Sequence, residues 1–199
     1  MDQMTVEPKV DLGFQLLGQT LPVDHGYLLY AAISRILPRW HDMTGVGMAL
    51  VRGRYIGQGL LDISPRSELV LRVPAGLISE VLPLAGKSLD IAGHAVRVGV
   101  PVTRALAPAA TLYAHLVTTR NGHDQARFED EIRRQAGALG VKGKLTIGQR
   151  RTFAVHRKQV VGYSVLASEL TAEESIELQE SGLGGRRKMG CGVFEVWKG

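Results

Sequence analysis

The chain has 199 residues, 45% of them hydrophobic and 22% charged, enough for one large domain or two of about 100 residues each. The single cysteine, Cys191, excludes an internal disulfide and a Cys-rich zinc site, and no apolar run approaches the roughly 18 residues of a membrane span. The net charge of +5 is uneven: residues 1–103 carry nine basic and nine acidic side chains, residues 104–199 fifteen and ten, a field that favours a polyanion and nucleic acid first. A cytoplasmic protein with no membrane partner is the expectation.

In chain order, residues 10–17 are apolar and end at Gly18, which predicts a strand. Asp24 is a candidate helix N-cap, followed by Tyr27, Leu28, Tyr30, Ala31, Ile33, Ser34 and Leu37 at helical spacing until Pro38. Short strands are expected at 46–51 and 60–63, an alternating strand at 68–73, and a short helix from Pro74 through Leu82. Ala92-Gly93 predicts a hairpin between 88–91 and 95–100.

The second half repeats the order. A strand at 111–119 precedes an amphipathic helix that starts at Asp124 or Gln125 and is closed by Gly140. A strand at 144–147 is followed by a hairpin, 151–155 and 160–166, turning at 156–159. Thr171 and Glu174 are spaced as a capping box, so a helix should run to Gln179 or Glu180, with a last strand at 193–197. Two βαββαβ halves imply an α+β fold of two tandem ferredoxin-like (RRM-like) domains, 1–104 and 105–199, linked near 101–108.

Between the last helix and the last strand lies a glycine-rich loop. Gly182, Gly184, Gly185, Gly190 and Gly192 surround Arg186, Arg187 and Lys188. Glycine lets amides approach a phosphate, and amides turned the same way form an anion-binding concavity. The plain alternative is a tight helix-to-strand connection. Arg150, Arg151, His156, Arg157 and Lys158 cluster on one hairpin, as phosphate contacts on a duplex require. Arg127, Arg133 and Arg134 are diluted by Glu129, Asp130 and Glu131, which reads as a mixed-charge solvent face.

None of the six histidines has metal-ligand spacing, and no metal or cofactor is expected. A nuclease without a metal needs a group that takes the 2′-hydroxyl proton, one that protonates the leaving 5′-oxygen, and cations for the phosphorane; histidine suits both proton transfers. His25, at the start of the first helix, is the first candidate; its alternative is an exposed cap-region histidine. His41 is the reserve, with loop exposure as its alternative. His94 and His123 read as solvated, and His115 as structural.

The loop after a duplicated ferredoxin-like order resembles the RAMP superfamily of CRISPR-associated RNA-binding proteins, and more closely its repeat-cleaving member, the sixth Cas protein. The likeness rests on LPVDHGYLLYAAISRILP (21–38), PLAGKSLDIAGHAVRVGVP (83–101) and GLGGRRKMGCGVF (182–194). It implies metal-independent cleavage at the base of the repeat hairpin by in-line 2′-oxygen attack, leaving a 5′-hydroxyl and a 2′,3′-cyclic phosphate or 3′-phosphate. It further implies retention of the product hairpin (crRNA) and assembly with other subunits of a Cascade-like surveillance complex. The family's histidine lies in or near the first helix, which matches His25. Its other catalytic groups are often Tyr, Lys or Ser, so Tyr30, with Tyr27 and Ser34, joins His25 and His41 as a candidate. Gly184, Gly185, Arg186, Arg187 and Lys188 join the basic hairpin as the expected RNA contacts. Two other readings stay open: a non-catalytic RAMP subunit that only grips RNA, and a ferredoxin-like domain for a small phosphorylated ligand.

Overall fold

The computed structural model describes residues 7–199. Leu12, Phe14 and Leu16 alternate on strand β1 (Lys9–Leu17) and are all sealed from solvent, which fixes its inner face. After β2 (Thr20–Pro22), helix α1 (Gly26–Ile36) buries Gly26, Leu29, Ala32 and Ile33 at helical spacing. Pro38 then opens a single 3₁₀ turn that drops Trp40 into the core. Next come β3 (Gly47–Ala49), β4 (Arg54–Gly57), β5 (Leu60–Asp62) and β6 (Glu68–Pro74), a short helix α2 (Ile78–Val81), and the hairpin β7 (Ser88–Ile91) and β8 (His94–Ala105). The main sheet of this half is antiparallel, in the order β3-β6-β1-β8-β7.

The second half comprises β9 (Leu112–Val117), α3 (Gln125–Ala138), β10 (Lys144–Val155), β11 (Lys158–Ser168), α4 (Ala172–Ser181) and β12 (Glu195–Val196), in a sheet ordered β10-β11-β9-β12. Asp124 caps α3, and Thr171 with Glu174 forms the expected capping box on α4. Two main hydrophobic clusters stand apart, one drawn from Leu12 to Val98 and the other from Leu112 to Phe194.

Several expectations are corrected. A small third sheet, β2-β5-β4, lies where the sequence suggested only a strand at 60–63, and the expected strand at 46–51 shrinks to three residues. The segment assigned to the linker is strand as far as Ala105, because β8 keeps pairing with β1 through Ala105 opposite Val10. The strand at 144–147 and the first hairpin arm are one strand, bent by a bulge between Ile147 and Arg150. Its turn is shorter than expected, since Val155 pairs with Lys158 and only His156 and Arg157 remain outside the ladder.

Arg72 and Lys9 tie the halves together. Arg72 on β6 makes a two-pronged pair with Asp11 on β1 (2.8 and 2.9 Å). Its remaining nitrogen donates to the main-chain carbonyls of Gln179 (3.0 Å) and Phe194 (2.7 Å) in the other half. Lys9 Nζ donates to the Glu180 carbonyl, so both cations meet the carbonyl end of α4, where the helix dipole is negative.

Candidate active site

Helix α1 faces the second half along one side, and that side carries the site. The Tyr30 hydroxyl lies 2.5 Å from His41 Nδ1, and the Tyr27 hydroxyl lies 3.1 Å from the ring nitrogens of His156. The two tyrosine rings are 6.2 Å apart, so His156, Tyr27, Tyr30 and His41 form one continuous run from the β10–β11 turn to the 3₁₀ turn after α1. Lys188 Nζ donates to the His41 carbonyl, which brings an ammonium to the same place. Both histidines are exposed, while the tyrosines and Lys188 are partly covered. His156 has a φ of 55°, a left-handed backbone that histidine tolerates better than most residues.

His25 is elsewhere, and this corrects the first expectation. Its side chain is sealed, with 2% of the residue exposed. The Val51 amide donates to Nε2 (3.0 Å), so the ring proton sits on Nδ1 and is given to the Pro22 carbonyl (2.9 Å). Both nitrogens are engaged and neither faces solvent. Burial lowers its pKa, partly opposed by the bond to Pro22. His25 is a neutral strut between the start of α1 and the segment after β3. It also occupies the N-cap position expected of Asp24, whose carboxylate instead accepts the Ala154 amide of β10 (2.8 Å). Ser34 is similarly occupied, donating to the Tyr30 carbonyl.

Most amides of the glycine loop are already engaged within the protein. The amides of Gly182, Leu183, Gly184, Gly185, Met189, Gly190, Cys191 and Gly192 all donate within the protein, to partners that include the Thr118 and Leu116 carbonyls and the Gln135 side chain. The glycines permit close packing instead. A Cβ on Gly192 would sit 1.9 Å from the Leu183 carbonyl oxygen, and one on Gly184 would sit 2.3 Å from that of Thr118; both residues have positive φ. Gly185 is unlike them, with no atom within 4 Å of such a Cβ. Gly192→Ala and Gly184→Ala should therefore lower the unfolding midpoint sharply while Gly185→Ala leaves it near wild type, an order that thermal unfolding of the three variants checks.

Of the basic triplet, Arg187 turns inward: it is partly buried and donates to the Gly184 carbonyl (3.1 Å). Arg186 is exposed and Lys188 reaches His41, so those two carry the outward charge. Arg150, Arg157 and Lys158 are exposed on the hairpin, and Arg151 bonds Gln149 (3.1 Å). The arginines of α3 pair along their own helix, Arg133 with Glu129 and Arg134 with Glu131, as a mixed-charge face does. Cys191 is buried, and burial pushes its thiol up to about 12, so it is no nucleophile. Among the described residues no three His, Cys, Asp or Glu side chains gather as a metal site needs.

His115 is not the structural residue the sequence suggested. It is exposed at the groove between the halves, where partial loss of surrounding water, and after it the charge of Arg151, lower its pKa to about 4. His25 and His115 both bind protons less tightly when folded than when unfolded. Their contribution is complete above 6.5 and is lost as pH falls, for His115 toward about 4. Denaturant unfolding across that range should show stability falling with acid, and less steeply in His115→Gln.

Fold and site together describe an α+β protein whose two halves meet at a Tyr/His/Lys cluster with exposed imidazoles, beside a basic hairpin. The family model described as Cas6 Crispr matches residues 10–198. The chain is 40% identical over 185 residues to the CRISPR-associated endonuclease Cas6 of Myxococcus xanthus (strain DK1622), covering 93% of this chain and 80% of that protein. A solved CRISPR-associated protein Cas6 superposes with a TM-score of 0.65 at 11% identity, covering 96% of this chain and 99% of the other. The product of a Cas6-related gene from Pyrococcus furiosus superposes with 0.64 at 12% identity and the same coverage. A RAMP protein binding different RNA substrates gives 0.61 at 14%, again with that coverage. The chain belongs to the Cas6 family.

Proposed function

We propose that this protein is a metal-independent endoribonuclease that cuts CRISPR repeat RNA at the base of its hairpin, with Tyr30, His41 and Lys188 as the cleaving site. One observation carries the reading: an exposed His41 touches Tyr30 and stands beside a lysine, at the end of the helix near which the resemblance expects a catalytic histidine. The 40% identical relative, a CRISPR-associated endonuclease, supports it.

In the proposed reaction the 2′-oxygen bonds to phosphorus and gives up its proton, the P–O5′ bond breaks, and the 5′-oxygen takes a proton. An imidazole can make either transfer near neutral pH. The Tyr30 hydroxyl orients the His41 ring, and the Lys188 ammonium offsets the charge that develops on the phosphorane. Arg150, Arg151, Arg157 and Lys158 grip the hairpin backbone, with His156 and Arg186 at its edges. Gly184 and Gly185 shape the loop that presents Arg186 and Lys188.

The reading includes two tandem ferredoxin-like domains, 1–104 and 105–199. Both sheets run second, third, first, last, with β7 added at the edge of the first, and this order and the separate cores support that division. It also includes retention of the product hairpin, assembly with other CRISPR ribonucleoprotein subunits, and action in the cytoplasm.

The test is a labelled repeat RNA incubated with the protein and EDTA, then run on a denaturing gel. A single cut leaving a 5′-hydroxyl is expected. A mobility shift without cutting would make the protein a non-catalytic RNA-binding subunit, and cutting only with a divalent ion would refute the mechanism.

A further inference from the structure

Three contacts reach from the start of α1 into the second half. The Asp24 carboxylate, just before the helix, accepts the Ala154 amide of β10 (2.8 Å). A Cβ on Gly26 would lie 2.4 Å from the Met189 carbonyl oxygen, so the helix start rests against the loop that carries Lys188. The Tyr27 hydroxyl meets the His156 ring at 3.1 Å.

The hairpin offers its side of these contacts for a reason set by its turn. With only His156 and Arg157 outside the ladder, Val155 and Lys158 are the closing pair. A closing pair exchanges both backbone hydrogen bonds, so the next pair, Ala154 and Gln159, turns its amides and carbonyls outward. Strand β10 is the edge of its sheet, so the Ala154 amide points away from the sheet and needs a partner from elsewhere. Asp24 supplies it. Asp24 and Tyr27 are separated by roughly 4.5 Å of helix rise, and Ala154 and His156 by roughly 6.6 Å of extended chain. Two neighbouring points on one element therefore meet two on the other, and two points fix an angle as well as a distance.

The clasp joins the two parts that a cut at one bond must hold in register. On one side, Phe153, Val155 and Val160 of the hairpin share an apolar cluster with Met189 and Cys191, which makes one body of the hairpin cations and the loop of Lys188. On the other side, Tyr30 stands one helical turn after Tyr27 and touches His41. We propose that Asp24 is a positioning residue: with Tyr27 it pins the basic hairpin to α1 at one distance and angle, so that the same phosphate of a gripped repeat always arrives at Tyr30, His41 and Lys188. Asp24 acts through the hairpin and not on the RNA, whose phosphates its carboxylate would repel. The proposal rests on the ribonuclease reading and adds to it what selects the bond.

The test is single-turnover cleavage of the repeat RNA at saturating protein, resolved to the nucleotide, with hydrogen exchange of the Ala154 amide read in the same proteins. In the wild type that amide should exchange slowly although it lies on a sheet edge. Asp24 is exposed, so Asp24→Ala should fold with a melting midpoint near wild type. It should exchange fast at Ala154, bind the repeat within a few-fold, and add cuts at the bonds beside the normal one. Its saturating rate should fall about 10-fold, inside the roughly 10²-fold that 1 Å of misplacement can cost. Asp24→Asn keeps an acceptor oxygen for the same amide and should restore slow exchange, rate and the single cut. A folded Asp24→Ala protein that cuts one bond at the wild-type rate would overturn the proposal. So would Asp24→Asn behaving as Asp24→Ala, because charge and not the hydrogen bond would then be at work. If the wild type cuts nothing, the ribonuclease reading fails. Slow exchange lost only in Asp24→Ala then upholds the clasp, and exchange alike in all three proteins rejects it.

Discussion

His41→Ala is expected to slow cleavage of the repeat by about 10²–10⁴ while leaving RNA affinity within a few-fold, the usual cost of one acid–base group. The expectation comes from exposure and contact: His41 reaches solvent, meets the Tyr30 hydroxyl, and has the Lys188 ammonium on its own carbonyl. Tyr30→Phe removes only the hydroxyl and should cost less, because the imidazole remains. His25→Ala should fail differently. It strands the Val51 amide and the Pro22 carbonyl inside the protein, a loss of about 1–3 kcal/mol of stability. Single-turnover rates measured on folded protein, beside unfolding curves, separate the two histidines. A His25→Ala protein that is fully stable and inactive would return the catalytic role to His25.

Arg72→Ala should cost about 3–5 kcal/mol, because it leaves the Asp11 carboxylate without its partner in a largely covered setting. It also removes the donor to the Gln179 and Phe194 carbonyls, so both halves lose a contact at once. For a chain of this size that loss should lower the melting midpoint by roughly 6–20 °C. Arg72→Lys should not rescue it, since one ammonium cannot serve a two-pronged carboxylate and two carbonyls together. Replacing Arg72 and Asp11 together with apolar residues should cost less than Arg72→Ala alone. The exposed pair Arg104–Glu68 offers the contrast: breaking it should cost no more than about 1 kcal/mol. Because Tyr27 and His156 meet across the same boundary, Arg72→Ala should also reduce cleavage below its melting range.

Local signals were readable and long-range ones were not. The capping box at Thr171 and Glu174 and the cap at Asp124 are set within a few residues of chain, and each lies where the pattern put it; α1 lies where expected, but it buries Leu29, Ala32 and Ile33, whereas most of the expected stripe from Tyr27 to Ser34 is only half-buried. Strands β2 and β4 escaped because Thr20–Pro22 is only three residues long and Arg54–Gly57 has no alternating buried face. The choice between His25 and His41 turns on burial beneath the Val51 segment, which nothing near position 25 announces. Tyr27 and His156 are 129 residues apart, so their meeting depends on how the halves dock. In the glycine loop, the need for glycine was legible. Which glycines are crowded was not, since Gly184 is constrained by the Thr118 carbonyl and Gly185 by nothing nearby.

The measurement that tests the central claim most directly is cleavage, in EDTA, of a repeat RNA carrying one 2′-deoxy substitution at the nucleotide whose 2′-oxygen would attack. In the proposed mechanism the Tyr30–His41–Lys188 site activates the RNA's own hydroxyl, so the substituted repeat should bind with unchanged affinity and remain uncut while the unmodified repeat is cut once. Cutting of the 2′-deoxy repeat at the same bond would show that water or another nucleophile does the work, and would contradict the account.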